Sequence, residues 1–374
     1  MARNLSEKYF NNEIRNSFIS NVSHELKTPL SSILGFYQLI EDSESVSGDG
    51  REFLKIIGKN ARLMNSLVQD LITSVELNKS DKKFSYKDLK KKIENIDILI
   101  PCISDTIDAS IIKAGKKLKL ISNFGNGVDN LDLITANEKK IKVTNTPDVL
   151  TDDTADVVLT MLLMICRKIL VARERIIKGE WSGWGPSETL GERVLGKKIG
   201  IIGMGRIGLA VAKRLKVLGM EIHYHNRKKL NKTIEKIYDA NYWKDLDKML
   251  AHIDVLSIHC PYTPETFHLL SKRRLRLLKR NCIVINTSRG EIIDEESLAD
   301  FLIKKKLGGA GLDVFEHEPQ ITQKLFESDN VVLLPHISSA TSQSREAMGE
   351  RVLKNILFFA KGKAPPDLVV RKRD

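Results

Sequence analysis

Residues Ile199-Gly-Ile-Ile-Gly-Met-Gly-Arg-Ile-Gly208 constrain the fold of this chain more than any other stretch. An apolar run, Ile199 to Ile202, enters the glycines Gly203, Gly205 and Gly208. A helical pattern then leaves through Ala210, Val211, Leu215 and Leu218. That order is strand, glycine turn, helix. In a dinucleotide-binding fold the first glycine makes the turn, the second lets backbone approach a pyrophosphate, and the third lets helix and strand pack closely. The helix N-terminus then offers free N–H groups to the phosphates. A bare glycine triplet also occurs in ordinary turns; the flanking strand and helix favour the dinucleotide reading.

Around this motif, from about Asn78 onward, short apolar runs alternate with helical patterns. The strand-like runs are Ile96–Pro101, Leu118–Asn123, Ile141–Thr144, Lys198–Ile202, Glu221–His225, Val255–His259, Cys282–Asn286, Gly309–Val314 and Val331–Leu334. Alternation of this kind predicts doubly wound parallel sheets with helices on both faces. One long helical pattern, Asp153 to Lys178, precedes the glycine motif. The expected division is a helical hairpin over 1–77, a dinucleotide-binding domain over 151–336, and a second α/β domain built from 78–150 and 337–374.

Residues 1–76 carry two long helical patterns instead. One holds Phe18, Ile19, Val22, Leu26, Leu30, Ile33, Leu34, Tyr37 and Ile40; the other holds Phe53, Ile57, Ala61, Met64, Leu67, Val68, Leu71 and Val75. Steps of three and four residues make an apolar seam on each. A lone hairpin cannot bury both seams, so a dimeric four-helix bundle is expected. Pro29 should kink the first helix just after His24. His24 reads either as a surface histidine or as a phosphoacceptor oriented by Glu25.

Phe18-Ile-Ser-Asn-Val-Ser-His-Glu-Leu-Lys-Thr-Pro-Leu30 resembles the H-box of sensor histidine kinases, over about residues 8–76. The resemblance implies that His24 accepts phosphate. The ATP-binding boxes that such kinases carry do not follow, so the phosphate would have to come from a separate histidine kinase, with a response regulator as a second partner.

Bulk properties narrow the choices. The 374 residues carry a net charge of +12. Acidic residues are interspersed and no nucleic-acid motif accompanies the charge, so it reads as a Lys-rich surface that would also favour a phosphate-rich cofactor. No apolar run approaches the roughly 18 residues of a membrane span, and the N-terminus lacks the apolar core of a signal peptide. Cys102, Cys166, Cys260 and Cys282 form no CxxC pair. They are expected to be buried small residues, with no metal site, in a reducing compartment such as the cytoplasm.

Three polar residues stand at or beyond strand ends: Arg289, Glu318 and His336. Ligands of open α/β sheets bind there. An arginine can grip a carboxylate with two parallel hydrogen bonds. A histidine beside a carboxylate can hold a proton and pass it to an oxygen. With a dinucleotide hydride donor, this is a set suited to reducing a 2-keto acid. Singly, each residue is an ordinary salt bridge, loop acid or structural histidine.

These residues resemble the D-isomer-specific 2-hydroxyacid dehydrogenases, most closely their glyoxylate and hydroxypyruvate reductases. Further matching pieces are Ser122-Asn-Phe-Gly-Asn-Gly-Val-Asp-Asn130, Leu150-Thr-Asp-Asp-Thr-Ala-Asp156, Trp181-Ser-Gly-Trp184 and His259-Cys-Pro-Tyr-Thr-Pro-Glu-Thr266. The resemblance implies a Rossmann-type domain and a flavodoxin-like substrate domain. It also implies catalysis by Arg289, Glu318 and His336, and substrate carboxylate binding by Asn126 and Gly127. Cofactor contacts are implied for Arg206, Ile207, Cys260, Pro261, Thr266, Thr287 and Asp313. The related formate dehydrogenases have Gln where this chain has Glu318, which argues against that branch.

The acid that reads the ribose of NAD usually lies about 20 residues on. Here that place is Asn226, in His225-Asn-Arg-Lys-Lys229. Nothing there repels a 2′-phosphate, and Arg227 and Lys228 can bind one. NADP(H) is therefore expected over NAD(H). The family's first substrate-domain strand and helix have no counterpart, because the hairpin occupies their place. A functional fusion, an inactive truncated relative and a chimeric reading frame all give such a chain. The expected function is NADP(H)-dependent reduction of a short 2-keto acid by a homodimer. The alternative is a phosphoacceptor protein that senses dinucleotide.

Overall fold

The computed structural model describes residues 84–369 together with Ile33, Tyr37, Leu54, Ile57, Gly58 and Ala61. His24, the kink at Pro29 and the stretch just before residue 84, where the family's first strand would belong, all lie outside the described residues. The six isolated positions are helical, and the Tyr37 ring lies where a Cβ on Gly58 would sit, 2.4 Å away.

In chain order the elements begin α1 (Tyr86–Lys92), β1 (Ile98–Leu99), α2 (Ala109–Ala114), β2 (Leu120–Ser122), α3 (Leu133–Glu138) and β3 (Lys142–Thr144). Next come α4 (Thr151–Cys166), α5 (Ile169–Ile177), β4 (Lys198–Ile202), α6 (Arg206–Val217), β5 (Glu221–His225), α7 (Lys232–Tyr238), β6 (Ala240–Tyr242), α8 (Leu246–His252) and β7 (Val255–Ile258). The chain ends α9 (Lys272–Leu275), β8 (Ile283–Asn286), α10 (Glu295–Ile303), β9 (Gly309–Leu312), β10 (Val331–Leu333) and α11 (Ser342–Ala360). The chain divides into two units, Asp148–Ser344 and the remainder; the sequence reading puts these divisions after residues 150 and 336.

In the unit Asp148–Ser344, seven parallel strands run in the order β10-β9-β8-β7-β4-β5-β6. The chain builds outward from β4 through β5 and β6, then returns to β7 on the other side of β4. That reversal makes the carboxyl ends of β4 and β7 the topological switch point, where such sheets bind ligands. A parallel sheet must be covered on both faces. Val158, Met161, Leu162 and Ile165 of α4, with Val211, Ala212 and Leu215 of α6, fill one side. Met249 and Leu250 of α8, with Leu298, Ala299 and Leu302 of α10, fill the other. The three- and four-residue spacing within each helix places these side chains on one stripe.

In the other unit β1, β2 and β3 form a parallel sheet in that order. Leu120 of β2 packs on Val352 and Ile356 of α11, while Ile111, Ile112, Ile121 and Val143 pack in a second cluster. Among the described residues β1 pairs with a strand on one side alone.

Four expectations need correction. The pattern from Asp153 to Lys178 is two helices, because Lys168 turns left-handed at φ 50° and the Glu192 N–H takes the Cys166 carbonyl at 2.7 Å. The short strand β6 was not anticipated; it is a half-exposed edge strand with no apolar run. The run Ile96–Pro101 pairs only over Ile98–Leu99. Finally, not every cysteine is buried: Cys102 is exposed just after β1, and Cys260 is half-buried at the end of β7.

Candidate active site

The glycine loop follows β4 directly. Gly203 has φ 89°, and its N–H donates to the His225 carbonyl at 3.0 Å. A Cβ there would lie 2.5 Å from the Cys260 nitrogen, so only glycine lets the turn pass β7. A Cβ on Gly208 would lie 2.7 Å from the Gly203 carbonyl oxygen, which closes helix onto strand. A Cβ on Gly205 would meet nothing within 4 Å. The protein itself does not need that space. Gly205 also precedes α6 without any side-chain cap, leaving first-turn N–H groups such as those of Ile207 for a ligand. Open room, a glycine turn and an uncapped twelve-residue helix fit a pyrophosphate. The Arg206 side chain forms an ion pair with Asp148.

Asn226, at the end of β5, braces this loop: its side-chain oxygen accepts the Met204 N–H at 2.7 Å. Arg227 and Lys228 are exposed, and among the described residues neither has an ion-pair partner within 4.0 Å. Arg227 is close enough to lower the Glu265 carboxyl, although the Thr263 hydrogen bond does so more. The segment after β7 is self-braced. The Thr266 hydroxyl donates to the Pro261 carbonyl at 2.9 Å and accepts the Thr263 N–H at 2.7 Å. Burial pushes the Cys260 thiol up to about 11, so it is no nucleophile at neutral pH.

Glu318 and His336 converge beyond β9 and β10, near Arg289 beyond β8. His336 Nδ1 lies 3.0 Å from Glu318 Oε2, and Glu318 Oε1 accepts the Phe315 N–H at 3.1 Å. Burial alone would raise the Glu318 carboxyl. The hydrogen bond and charge of His336, the Phe315 N–H and the nearby Arg289 guanidinium together hold it below its ordinary value. His336 has φ 55°, a left-handed conformation that needs support. Asp313 supplies it: the two oxygens of this fully buried carboxylate accept the Ile337 N–H at 2.7 Å and the Ser338 N–H at 2.8 Å. Burial raises the Asp313 carboxyl despite these bonds.

Asn286 was not singled out from sequence, yet it shapes the Arg289 turn. Its Oδ1 accepts the Ser288 N–H at 3.0 Å and its Nδ2 donates to the Arg289 carbonyl at 2.8 Å. An asparagine at a strand end, two residues before a turn N–H, is the available signal. Next to it the Thr287 hydroxyl is buried and has no hydrogen-bond partner among the described residues. An orphaned donor at the carboxyl end of the sheet that carries the glycine loop is what a cofactor or substrate oxygen would satisfy.

Asn126 and Gly127 belong to the other unit and are described within it. Asn145 donates to the Asn126 carbonyl at 2.7 Å, and Asn123 donates to the Gly127 carbonyl at 2.8 Å. Among the described residues neither backbone N–H has an acceptor. Carbonyls tied back with N–H groups left over make a loop suited to an anion.

Comparison with known proteins agrees with this geometry. Residues 159–338 match the family model "D-isomer specific 2-hydroxyacid dehydrogenase, NAD binding domain", and residues 14–79 match "His Kinase A (phospho-acceptor) domain". The chain is 44% identical over 285 residues to a glyoxylate reductase of Thermococcus litoralis, covering 75% of this chain and 86% of that protein. It is 41% identical over 302 residues to one of Pyrococcus horikoshii, covering 80% and 90%. Among solved structures, a glyoxylate reductase from Paecilomyes thermophila superposes with TM-score 0.70 at 32% identity, covering 77% and 88% of the two chains. An NADPH-dependent glyoxylate/hydroxypyruvate reductase from Sinorhizobium meliloti, in complex with NADP and malonate, does so with TM-score 0.68 at 33% identity, covering 76% and 88%. The switch-point glycine loop, the Glu318–His336 pair and these likenesses place the chain in the D-isomer-specific 2-hydroxyacid dehydrogenase family, as an enzyme using a nicotinamide dinucleotide, with a histidine-kinase-type phosphoacceptor segment at its N-terminus.

Proposed function

We propose that this chain reduces a short 2-keto acid such as glyoxylate or hydroxypyruvate, with NADP(H) as its preferred cofactor. The observation that carries this reading is the Glu318–His336 pair at 3.0 Å, under the charge of Arg289 and at the carboxyl ends of the same parallel sheet that carries the glycine loop. Gly203, Gly205, Gly208 and the N–H groups of Arg206 and Ile207 hold the pyrophosphate. Arg227 and Lys228 hold the 2′-phosphate, since Asn226 offers no repelling charge. When bound, the reduced nicotinamide supplies hydride to the carbonyl carbon.

His336 keeps Nδ1 on Glu318, so Nε2 is the nitrogen that gives the proton to the carbonyl oxygen. The Glu318 carboxylate stabilises the imidazolium before transfer and steadies the ring after it. Arg289 binds the substrate carboxylate or carbonyl. Cys260, Pro261, Thr266, Thr287 and Asp313 complete the cofactor contacts. The test is NADPH oxidation by the purified full chain with glyoxylate and with hydroxypyruvate. No turnover with either, in the presence of demonstrated NADPH binding, would refute the reading.

A second reading rests on the phosphoacceptor match over 14–79. In it the N-terminal segment dimerises and receives phosphate on His24 from a separate histidine kinase, while the dehydrogenase portion senses dinucleotide. Substrate turnover separates the two.

A further inference from the structure

The loop that carries Glu318 is held from behind by a second carboxylate. Glu295, the first residue of α10, is only 4% exposed. One of its oxygens accepts the Glu316 N–H at 2.8 Å, and the other accepts the Thr322 N–H at 3.1 Å. Those donors bracket residues 317–321, so a single buried carboxylate closes the loop at both ends. The bracket is returned: the Glu295 N–H reaches Glu316 Oε2 at 3.4 Å, and Glu316 Oε1 lies 2.7 Å from His268 Nε2. The His268 N–H donates to the Glu291 carbonyl at 2.8 Å, and the Phe267 ring stacks on the imidazole at 4.0 Å.

The same network reaches the Arg289 side of the site. A Cβ on Gly290 would lie 1.9 Å from the Phe315 carbonyl carbon, so the turn after Arg289 rests directly on the backbone before Glu318. Among the described residues the Glu318 carboxylate has hydrogen bonds to the Phe315 N–H and to His336. Neither contact holds the far limb of its loop.

We propose that Glu295 is a positioning residue: with Glu316 and His268 it fixes the loop so that Glu318 meets His336. The proposal rests on the assignment of Glu318 and His336 as the acid–base pair. Charge-assisted bonds to two backbone N–H groups are strong and directional, and small displacements of catalytic groups cost up to about 100-fold in rate. In Glu295→Gln an amide NH₂ faces one of the two N–H donors, which opens one end of the bracket while keeping side-chain volume.

The expected result for Glu295→Gln is a kcat about 10- to 100-fold below the parent, with NADPH affinity and the KM for glyoxylate within about twofold. The basic limb of the kcat/KM profile should move toward acid. Because Glu295 acts through Glu318, Glu295→Gln added to Glu318→Gln should cost much less than it does alone. A parental kcat and pH profile, or full multiplication of the two effects, overturns the proposal. Where Glu295→Gln is not recovered folded, His268→Gln tests the same bracket with the same readouts and the same overturning result. His336→Ala runs in parallel. If it turns over like the parent, the acid–base assignment falls and the positioning role with it; if it is slow while Glu295→Gln is parental, only the positioning role falls.

Discussion

Replacing Glu318 with Gln removes one negative charge and, with the amide oxygen on Phe315, turns an NH₂ toward His336 Nδ1 in place of an acceptor. The Phe315 N–H can still donate to the side-chain oxygen, so the loop keeps its anchor. What is lost is the attraction to a protonated His336, whose Nδ1 lies 3.0 Å from the carboxylate. A charge pair at this separation is worth about 5 kcal/mol at an effective dielectric of about 20. The side chains of His336 and Glu318 are 27% and 38% exposed, so water screens much of that. Fully exposed pairs fall below about 1 kcal/mol. A value of about 1.5–3 kcal/mol lies between these limits and corresponds to roughly 10- to 100-fold in rate. The expected outcome is that loss in kcat/KM for glyoxylate. NADPH oxidation measures it. No loss would remove Glu318 from the mechanism.

Cofactor choice gives the next test. Arg227→Asp should move the ratio of kcat/KM for NADPH over NADH toward NADH by about tenfold or more, since an acid there repels a 2′-phosphate; an unmoved ratio would place the phosphate elsewhere. Stability should fall on acidification through the half-buried His259 and the buried His223. Burial pushes His259 down to about 3, and burial followed by the charge of His252 lowers His223. The unfolded chain therefore binds more protons below about pH 6.5, and stability is full above that pH and declines below it; His259 contributes a loss of about 1.4 kcal/mol per pH unit toward pH 3, and His223 adds to the start of the fall. Urea unfolding midpoints that stay level between pH 7.5 and pH 5 would refute this. The pure chain incubated with labelled ATP should form no phosphohistidine; strong labelling that is abolished by His24→Gln would show a kinase site within the chain.

The strands β4 and β5 were legible to the residue because each is a short apolar or alternating run stopped by glycine or by basic residues. The break between α4 and α5 was not. No Gly or Pro marks it; its cause is a hydrogen bond from Glu192, far along the chain, to the Cys166 carbonyl. The active site divides in the same way. Arg289, Glu318 and His336 could be picked out as a group because proton transfer and carboxylate binding admit few residue types, and the structure brings the three near one another. Asn226 was read as the residue facing a ribose, and the structure adds that its side-chain oxygen braces the glycine loop. Asp313 was read as a cofactor contact, and its carboxylate also holds the backbone that sets His336 in its left-handed conformation. By sequence Glu295 is one of many acids that suit the first turn of a helix, where such residues favour the dipole. Its partners are backbone N–H groups 21 and 27 residues away. Any residue but proline supplies an N–H, so the side chains that perform chemistry leave a trace in residue type, while those that hold them in place do so through partners on which sequence is silent.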